Sequence, residues 1–227
     1  MERIIKISVA SLIITIIIVF FGYSAYSLSN GLKENREDKP LTINPGTEEL
    51  KADMRKLWED HVVWTRNVIF CLVDELPGKD QAVKRLLQNQ VDIGNAIKPY
   101  YGEKGGNKLA GLLCTHINLS AEVVDAAKNG NTTALDAANK KWYANADEIS
   151  EFLCSANPNW ILADMKVMMK SHLKITTDEA KHRIKKEYDA DIIAFDKVHM
   201  EILAMADMLA GGIIKQFPEK FTLLTDK

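Results

Sequence analysis

The sequence predicts an all-α fold: an antiparallel up-down helical bundle of four to five long helices plus one short helix, behind an N-terminal transmembrane helix. Apolar residues recur at spacings of three and four along most of the 227 residues, which is the period of an amphipathic helix. All six prolines fall where such helices should begin or end, and no segment alternates between apolar and polar residues. With 47% hydrophobic and 26% charged residues, the chain has the composition of a folded globular protein.

The first element along the chain is a predicted membrane anchor. Residues 7–28 carry no charge, and this run is longer than the roughly 20 apolar residues that a helix needs to cross a bilayer. Because Arg3 and Lys6 precede it, we expect a cytoplasmic stub at residues 1–6 and an extracytoplasmic body. The lipid bilayer is therefore a predicted partner. The alternative is a signal peptide cleaved at a small-x-small site ending at Ser27, which would release a secreted body.

A polar linker, residues 29–43, leads to the predicted bundle, residues 44–221, and a tail follows at 222–227. Capping residues, prolines and glycines divide the bundle into six predicted helices. Asn44 and Pro45 form a cap and a first helical position, whereas the last helix opens with a capping box that begins at Thr176. Short loops between such helices predict antiparallel neighbours. The predicted helices cover about 44–75, 80–98, 107–128, 133–155, a short stretch after Pro158, and 176–212.

Three of the five histidines interrupt the apolar stripes of three different predicted helices. At about 1.5 Å per residue, their positions along these helices place them at one level of the bundle. Carboxylates of the predicted helices lie close to the same level. Imidazoles with one or two carboxylates can hold a divalent transition metal such as zinc or iron. The predicted metal ligands are His61, His116, His199, Glu148 and Asp196.

Two other interpretations fit the same histidines. A buried histidine often bonds only to a neighbouring polar group, so the three could belong to a polar core network. An apolar pocket between helices, with no metal, is a third possibility because helical bundles commonly bind ligands there. The sequence alone leaves all three open.

The sequence lacks the motifs of several classes of protein. It contains no His-Glu-x-x-His motif of a zinc protease, no paired Glu-x-x-His motifs of a di-iron bundle, and no Cys-x-x-Cys-His haem attachment site. Its 29 basic and 31 acidic residues give a net charge of −2 with no basic stripe. Nucleic acid is therefore not a predicted partner.

Four motifs resemble those of an uncharacterised bacterial helical-bundle family. The first runs from Trp58 to Arg66 and reads Trp-Glu-Asp-His-Val-Val-Trp-Thr-Arg. The others lie at residues 95–102, 142–149 and 212–218, so that the resemblance covers residues 50–221. It implies a helical bundle but brings no established activity.

The predicted function is that of a membrane-tethered extracytoplasmic bundle that binds a metal ion or a small ligand in its core. One alternative is a metal-dependent enzyme in which the three histidines hold the metal and Glu148 or Asp147 acts as general base. Another is a structural or partner-binding bundle without a ligand. The sequence favours a binding protein over an enzyme, because it contains no recognisable catalytic motif.

Overall fold

The computed structural model describes residues 45–221, which form five α-helices and one short 3₁₀-helix with no strand among them. This confirms the predicted all-α bundle. Residues 1–44, with the predicted anchor, and the tail at 222–227 lie outside the described residues. Within residues 45–221, no helix has the length and apolar character needed to cross a membrane. The helices are α1 (Pro45–Val73), α2 (Lys79–Lys128), α3 (Thr132–Ala156), α4 (Leu162–Ile184) and α5 (Tyr188–Gln216), followed by the 3₁₀-helix Pro218–Phe221.

Helix α2 contains the second and third predicted helices, but the break lies at Gly102 rather than at Pro99. Pro99 stays within the helix, whereas Gly102 has φ 71° and ψ 174°, a conformation open essentially only to glycine. The two halves of α2 fold back on each other at this point. This is shown by Leu86 of the first half, which packs in one buried cluster with Ile117 of the second half. The position of the reversal is therefore set by backbone conformation at Gly102 and not by the proline.

The boundary between α4 and α5 differs from the prediction by more than two turns. The predicted short helix after Pro158 is in fact the 23-residue α4, and the capping box at Thr176 lies inside it. Within that box, the Thr177 hydroxyl donates to the Leu173 carbonyl one turn earlier (2.7 Å), as threonines inside helices commonly do. The real break lies at residues 185–187, where Lys186 adopts φ 61°. No glycine or proline marks this break in the sequence.

The buried face of the first half of α5 also differs from the prediction. The predicted stripe included Tyr188, Ile192 and His199, but Tyr188 and Ile192 are about half exposed. The observed buried face comprises Asp191, Ala194, Val198, Ile202, Met205 and further residues at the same spacing. In the first half of α5 the buried residues Asp191, Ala194 and Val198 each lie one position before the predicted ones, whereas Ile202, Ala206 and Leu209 are buried as predicted.

Polar contacts at the two ends of the bundle define the directions of the helices. At one end, Lys128 Nζ donates to the Leu72 carbonyl (3.0 Å), and Arg183 Nε donates to Asp74 (2.9 Å). The helix α1, the second half of α2 and α4 therefore end together and run parallel. At the opposite end, the Tyr101 hydroxyl donates to Gln216 (2.9 Å), close to the end of α5. The chain thus runs up and down, as the short loops predict.

Candidate functional site

Three parallel helix segments carry the same pair of residues, a buried histidine followed four residues later by a hydroxyl residue. The pairs are His61 and Thr65 on α1, His116 and Ser120 on α2, and His172 and Thr176 on α4. The three histidines, which we call the histidine layer, are 3–5% exposed. Since residues four apart lie on one helix face, the hydroxyl residues of all three pairs lie one turn closer to the shared end of the helices.

Within the layer, the His61 and His172 rings lie with their centroids 5.9 Å apart. Burial lowers the pKa of His61 well below its ordinary value, and the nearby His172 and His116 lower it further. Gln90 lies close enough to His61 to oppose this shift in part. His61 is therefore neutral at pH 7, the form in which an imidazole can coordinate a metal or accept a hydrogen bond.

His116 is held by partners on α3. The Trp142 indole Nε1 donates to His116 Nε2 (3.1 Å), and His116 Nδ1 lies 2.8 Å from Asn145 Oδ1. Burial lowers the pKa of His116 to about 4, although the hydrogen bond with Asn145 acts in the opposite direction. Both ring nitrogens of His116 are thus occupied, as expected for a histidine in a polar core network.

Several buried polar atoms near the layer have no hydrogen-bond partner among the described residues. They include Nδ1 of His61, Nδ1 of His172, Oε1 of Gln90 and Oγ1 of Thr176. His172 Nδ1 lies 3.6 Å from the Glu201 carboxylate, just beyond hydrogen-bond distance. Unpaired buried polar atoms are rare and each costs about 1–3 kcal/mol, so such a group commonly marks the place of a water, an ion or a ligand.

An apolar cavity lies next to the histidine layer, between α1, the second half of α2, α3 and α4. It has a volume of about 100 Å³ and is partly open to solvent. Its polar lining includes all three hydroxyl residues of the His–hydroxyl pairs, and Trp142 joins it to the layer. Most of the lining is apolar, including Val68, Leu72, Val124, Leu135 and Ala180.

A buried cluster of charges joins α1, α4 and α5 beside the layer. Arg66 donates to the buried carboxylates of Glu179 (2.6 Å) and Asp191 (2.8 Å). Arg183 approaches Asp191 to 3.6 Å. Burial raises the pKa of Glu179 to about 7, although Arg66 lowers it in part. Because its groups pair with one another, this cluster is best explained as a link between helices.

The structure brings only part of the predicted metal site together. His61 and His116 lie in the histidine layer, but Glu148 and Asp196 are exposed. The His199 side chain is 33% exposed and its Nε2 lies 2.8 Å from Glu59. His199 lies outside the core because Val198, one residue earlier, occupies the buried position in this part of α5. Among the described residues, no three His, Cys, Asp or Glu side chains are arranged to hold a metal ion.

His172 is the member of the layer that sequence reasoning missed. It was missed because the helix carrying it was predicted to be short, so that no buried stripe was assigned there. A signal was nevertheless present, since the spacing His-x-x-x-Ser/Thr occurs at His61, His116 and His172.

Comparisons of the chain with family models, with curated proteins and with solved structures gave no match. The resemblance of residues 50–221 to a bacterial helical-bundle family therefore stays a prediction.

Proposed function

We propose that this protein binds a small, largely apolar molecule in the cavity between α1, α2, α3 and α4. The observation that carries the proposal is the cavity itself, about 100 Å³ with a mostly apolar lining. Protein interiors are normally close-packed, and empty apolar volume costs stability. An apolar guest would regain those contacts, at about 25 cal/mol for each Å² of apolar surface that it buries.

The lining favours binding over catalysis. Among the described residues that line the cavity, Lys181 is the one ionisable side chain, and it is exposed. Acid–base catalysis needs a titratable group within hydrogen-bond reach of the reacting atom. The histidine layer lies one turn below the cavity, and Trp142, which lines the cavity, stands between it and His116.

The test is thermal unfolding of the full-length chain with small aromatic probes. The protein should be reconstituted in lipid nanodiscs, since detergent would compete for an apolar cavity. We expect toluene, phenol or indole to raise the melting temperature with saturation, because each binds only the folded state. An engineered apolar cavity of about 150 Å³ accepts benzene. The cavity here is smaller, about 100 Å³, but it is partly open to solvent, so a small aromatic probe can extend towards the opening.

A matched pair of variants locates the binding. Ala121 lines the cavity, whereas Ala137 is exposed on α3 and lies away from it. Ala121→Phe should fill the cavity and abolish the probe-induced shift, and Ala137→Phe should retain it. If no probe shifts the wild-type melting temperature, or if both variants respond like the wild type, the proposal is wrong.

A metal ion in the histidine layer is the second candidate. It is favoured by the unpaired Nδ1 atoms of His61 and His172 and by the nearby Glu201 carboxylate. Imidazole and carboxylate are suitable ligands for zinc or iron. As the side chains stand, three donors do not converge, so a metal would have to draw them together.

Elemental analysis of the full-length chain, with and without added zinc or iron, tests this candidate. Near-stoichiometric metal that is lost in His61→Ala and His172→Ala but kept in His199→Ala would support the histidine layer. Loss in His199→Ala as well would instead support the ligand set predicted from the sequence. Absence of bound metal under all these conditions would overturn both sets.

We further propose that the bundle lies outside the membrane, tethered by the apolar run at residues 7–28. The support is the sequence argument alone: a charge-free run of sufficient length with Arg3 and Lys6 before it. The bundle should fractionate with membranes, resist alkaline extraction and be digested by protease added outside. A mature N-terminus found just after Ser27 would favour the secreted alternative.

A further inference from the structure

The polar group of the cavity lining that a ligand can reach lies on the solvent side. The hydroxyls of Thr65, Ser120 and Thr177 already donate to carbonyls of their own helices. The Thr176 hydroxyl oxygen has almost no accessible surface. Among the described residues that line the cavity, Lys181 is the one that is exposed, so the opening to solvent lies beside it.

The fold leaves Lys181 without a counterion. Within residues 45–221, no carboxylate lies at ion-pair distance from its ammonium group, and the nearest acidic residues along α4 are paired elsewhere. Asp178 lies 2.8 Å from Lys174, and Glu179 lies 2.6 Å from Arg66. Lysine side chains place their methylene stem along apolar surface and keep the ammonium group in water. Lys181 can therefore line the cavity and present an unpaired positive charge at its opening.

We infer that the molecule bound in the cavity is a small monocarboxylate, whose apolar body fills the cavity and whose carboxylate pairs with the Lys181 ammonium group at the opening. This inference rests on the proposed function and names the chemical class of its ligand. A carboxylate accepts charge-assisted hydrogen bonds from a lysine. Its single negative charge also matches the single cation of the lining. The class is therefore that of short fatty acids and small aromatic acids.

The position of Lys181 determines how such a ligand is oriented. A charge inside the apolar part of the cavity would lose its hydration without compensation, which is strongly unfavourable. At the opening, a carboxylate keeps part of its contact with water. The apolar body therefore supplies most of the affinity, whereas the carboxylate supplies orientation and selectivity for an acid over a neutral molecule of the same shape.

The experiment compares two probes that differ in charge. Benzoate and benzamide have nearly the same size and planar shape, but only benzoate is an anion. Their dissociation constants are measured by calorimetry or NMR titration at pH 7 and about 0.15 M salt, with the full-length chain in nanodiscs of zwitterionic lipid. The quantity of interest is the affinity for benzoate divided by the affinity for benzamide. This ratio removes any change in the packing of the cavity that affects both probes.

We expect Lys181→Met, which removes the charge and keeps most of the stem, to lower this ratio by about 2- to 5-fold, the usual effect of one exposed ion pair. Lys181→Arg keeps the charge and should keep a ratio close to that of the wild type. Lys170→Met is the matched control, because Lys170 is exposed, lies outside the lining and precedes Lys181 by about 16 Å along α4. At this distance salt screens its charge, so the ratio should not change.

The outcomes separate this inference from the proposed function. If both probes bind the wild type and Lys181→Met leaves the ratio unchanged, the inference is wrong and the proposed function stands. An equal fall in Lys170→Met would also overturn the inference, because the effect would then be one of overall charge. If benzamide or toluene binds the wild type and benzoate does not, the inference is again wrong and the cavity proposal survives. If no probe binds, charged or uncharged, the proposed function itself fails.

Discussion

The Trp142 indole donates a hydrogen bond of 3.1 Å to Nε2 of His116. Because an indole N–H can only donate, Nε2 has to be the unprotonated nitrogen of the ring. The proton therefore lies on Nδ1, from where it is donated to Asn145 Oδ1 (2.8 Å). Asn145 in turn donates to the Leu112 carbonyl (3.3 Å). Each residue of this chain of hydrogen bonds donates to the next, alternating between α3 and α2. The bonds therefore define one tautomer of His116.

The first prediction concerns this tautomer. We expect a long-range ¹H–¹⁵N NMR spectrum to show His116 protonated at Nδ1 and to remain unchanged from pH 8 to about pH 5, since its pKa lies near 4. An Nε2-protonated or charged His116 at pH 7 would contradict the hydrogen-bond directions given above.

The second prediction compares two buried tryptophans. Trp142 and Trp58 are both 3% exposed, but the Trp58 Nε1 has no partner among the described residues. Trp142→Phe removes the donor and leaves His116 Nε2 buried and unpaired, whereas Trp58→Phe removes no hydrogen bond. We therefore expect Trp142→Phe to lower the free energy of unfolding by about 1–3 kcal/mol more than Trp58→Phe. Urea denaturation measures both, and equal losses would show that the hydrogen bond contributes nothing.

The third prediction is that acidification destabilises the fold through the histidine layer. His116 has a pKa near 4 in the folded chain and about 6.5 when unfolded. Its stabilising effect is thus complete above pH 6.5 and is lost as pH falls from 6.5 towards 4. The loss from His116 alone is about 2 kcal/mol at pH 5. His61 acts in the same direction. The prediction is tested by measuring the free energy of unfolding of the Glu179→Gln variant at pH 8, 6.5 and 5. This variant is used because it lacks the opposing effect of Glu179. A free energy of unfolding that does not fall between pH 6.5 and pH 5 would contradict the prediction.

The fourth prediction is that Glu179 acts in the opposite direction. Its pKa is about 7 in the folded chain and 4.5 when unfolded, so its contribution is complete below pH 4.5 and is lost as pH rises to 7. The stability of the wild type relative to Glu179→Gln should therefore fall by about 1–3 kcal/mol between pH 5 and pH 8. Urea titrations of both proteins at the two pH values give this difference. A difference that is constant with pH would mean that Glu179 is ionised throughout.

The fifth prediction uses adjacent glycines of α5. A Cβ on Gly212 would lie 1.9 Å from Trp160 Nε1, whereas a Cβ on Gly211 would meet no atom within 4 Å. Gly212→Ala should therefore destabilise the bundle by about 1–3 kcal/mol or more through overpacking. Gly211→Ala should stabilise it by about 0.5–1 kcal/mol, because alanine is the better helix former. Thermal or urea unfolding of both variants tests the close packing of α5 on Trp160.

Part of the candidate site could be predicted from the sequence. A comparison of His61 and His199 shows where the prediction from apolar spacing fails. His61 was correctly placed on a buried face because the apolar spacing around it is regular and α1 begins where Pro45 predicts. His199 was placed on a buried face by the same reasoning, but in the structure Val198 is buried there and His199 is partly exposed. The apolar spacing left the helix face uncertain by one position there, which is enough to move a side chain from the core to the surface.

What the sequence determined by itself is the all-α bundle of residues 45–221, because helical periodicity and the positions of prolines and glycines are local properties of the chain. Only the tertiary structure decided which helix faces meet. The reversal at Gly102, the unmarked break at Lys186 and the parallel run of α1, the second half of α2 and α4 bring His172 into the layer and leave a cavity beside Thr176. These features depend on contacts between residues far apart in the sequence, and those contacts outweigh local preferences such as the capping pattern at Thr176.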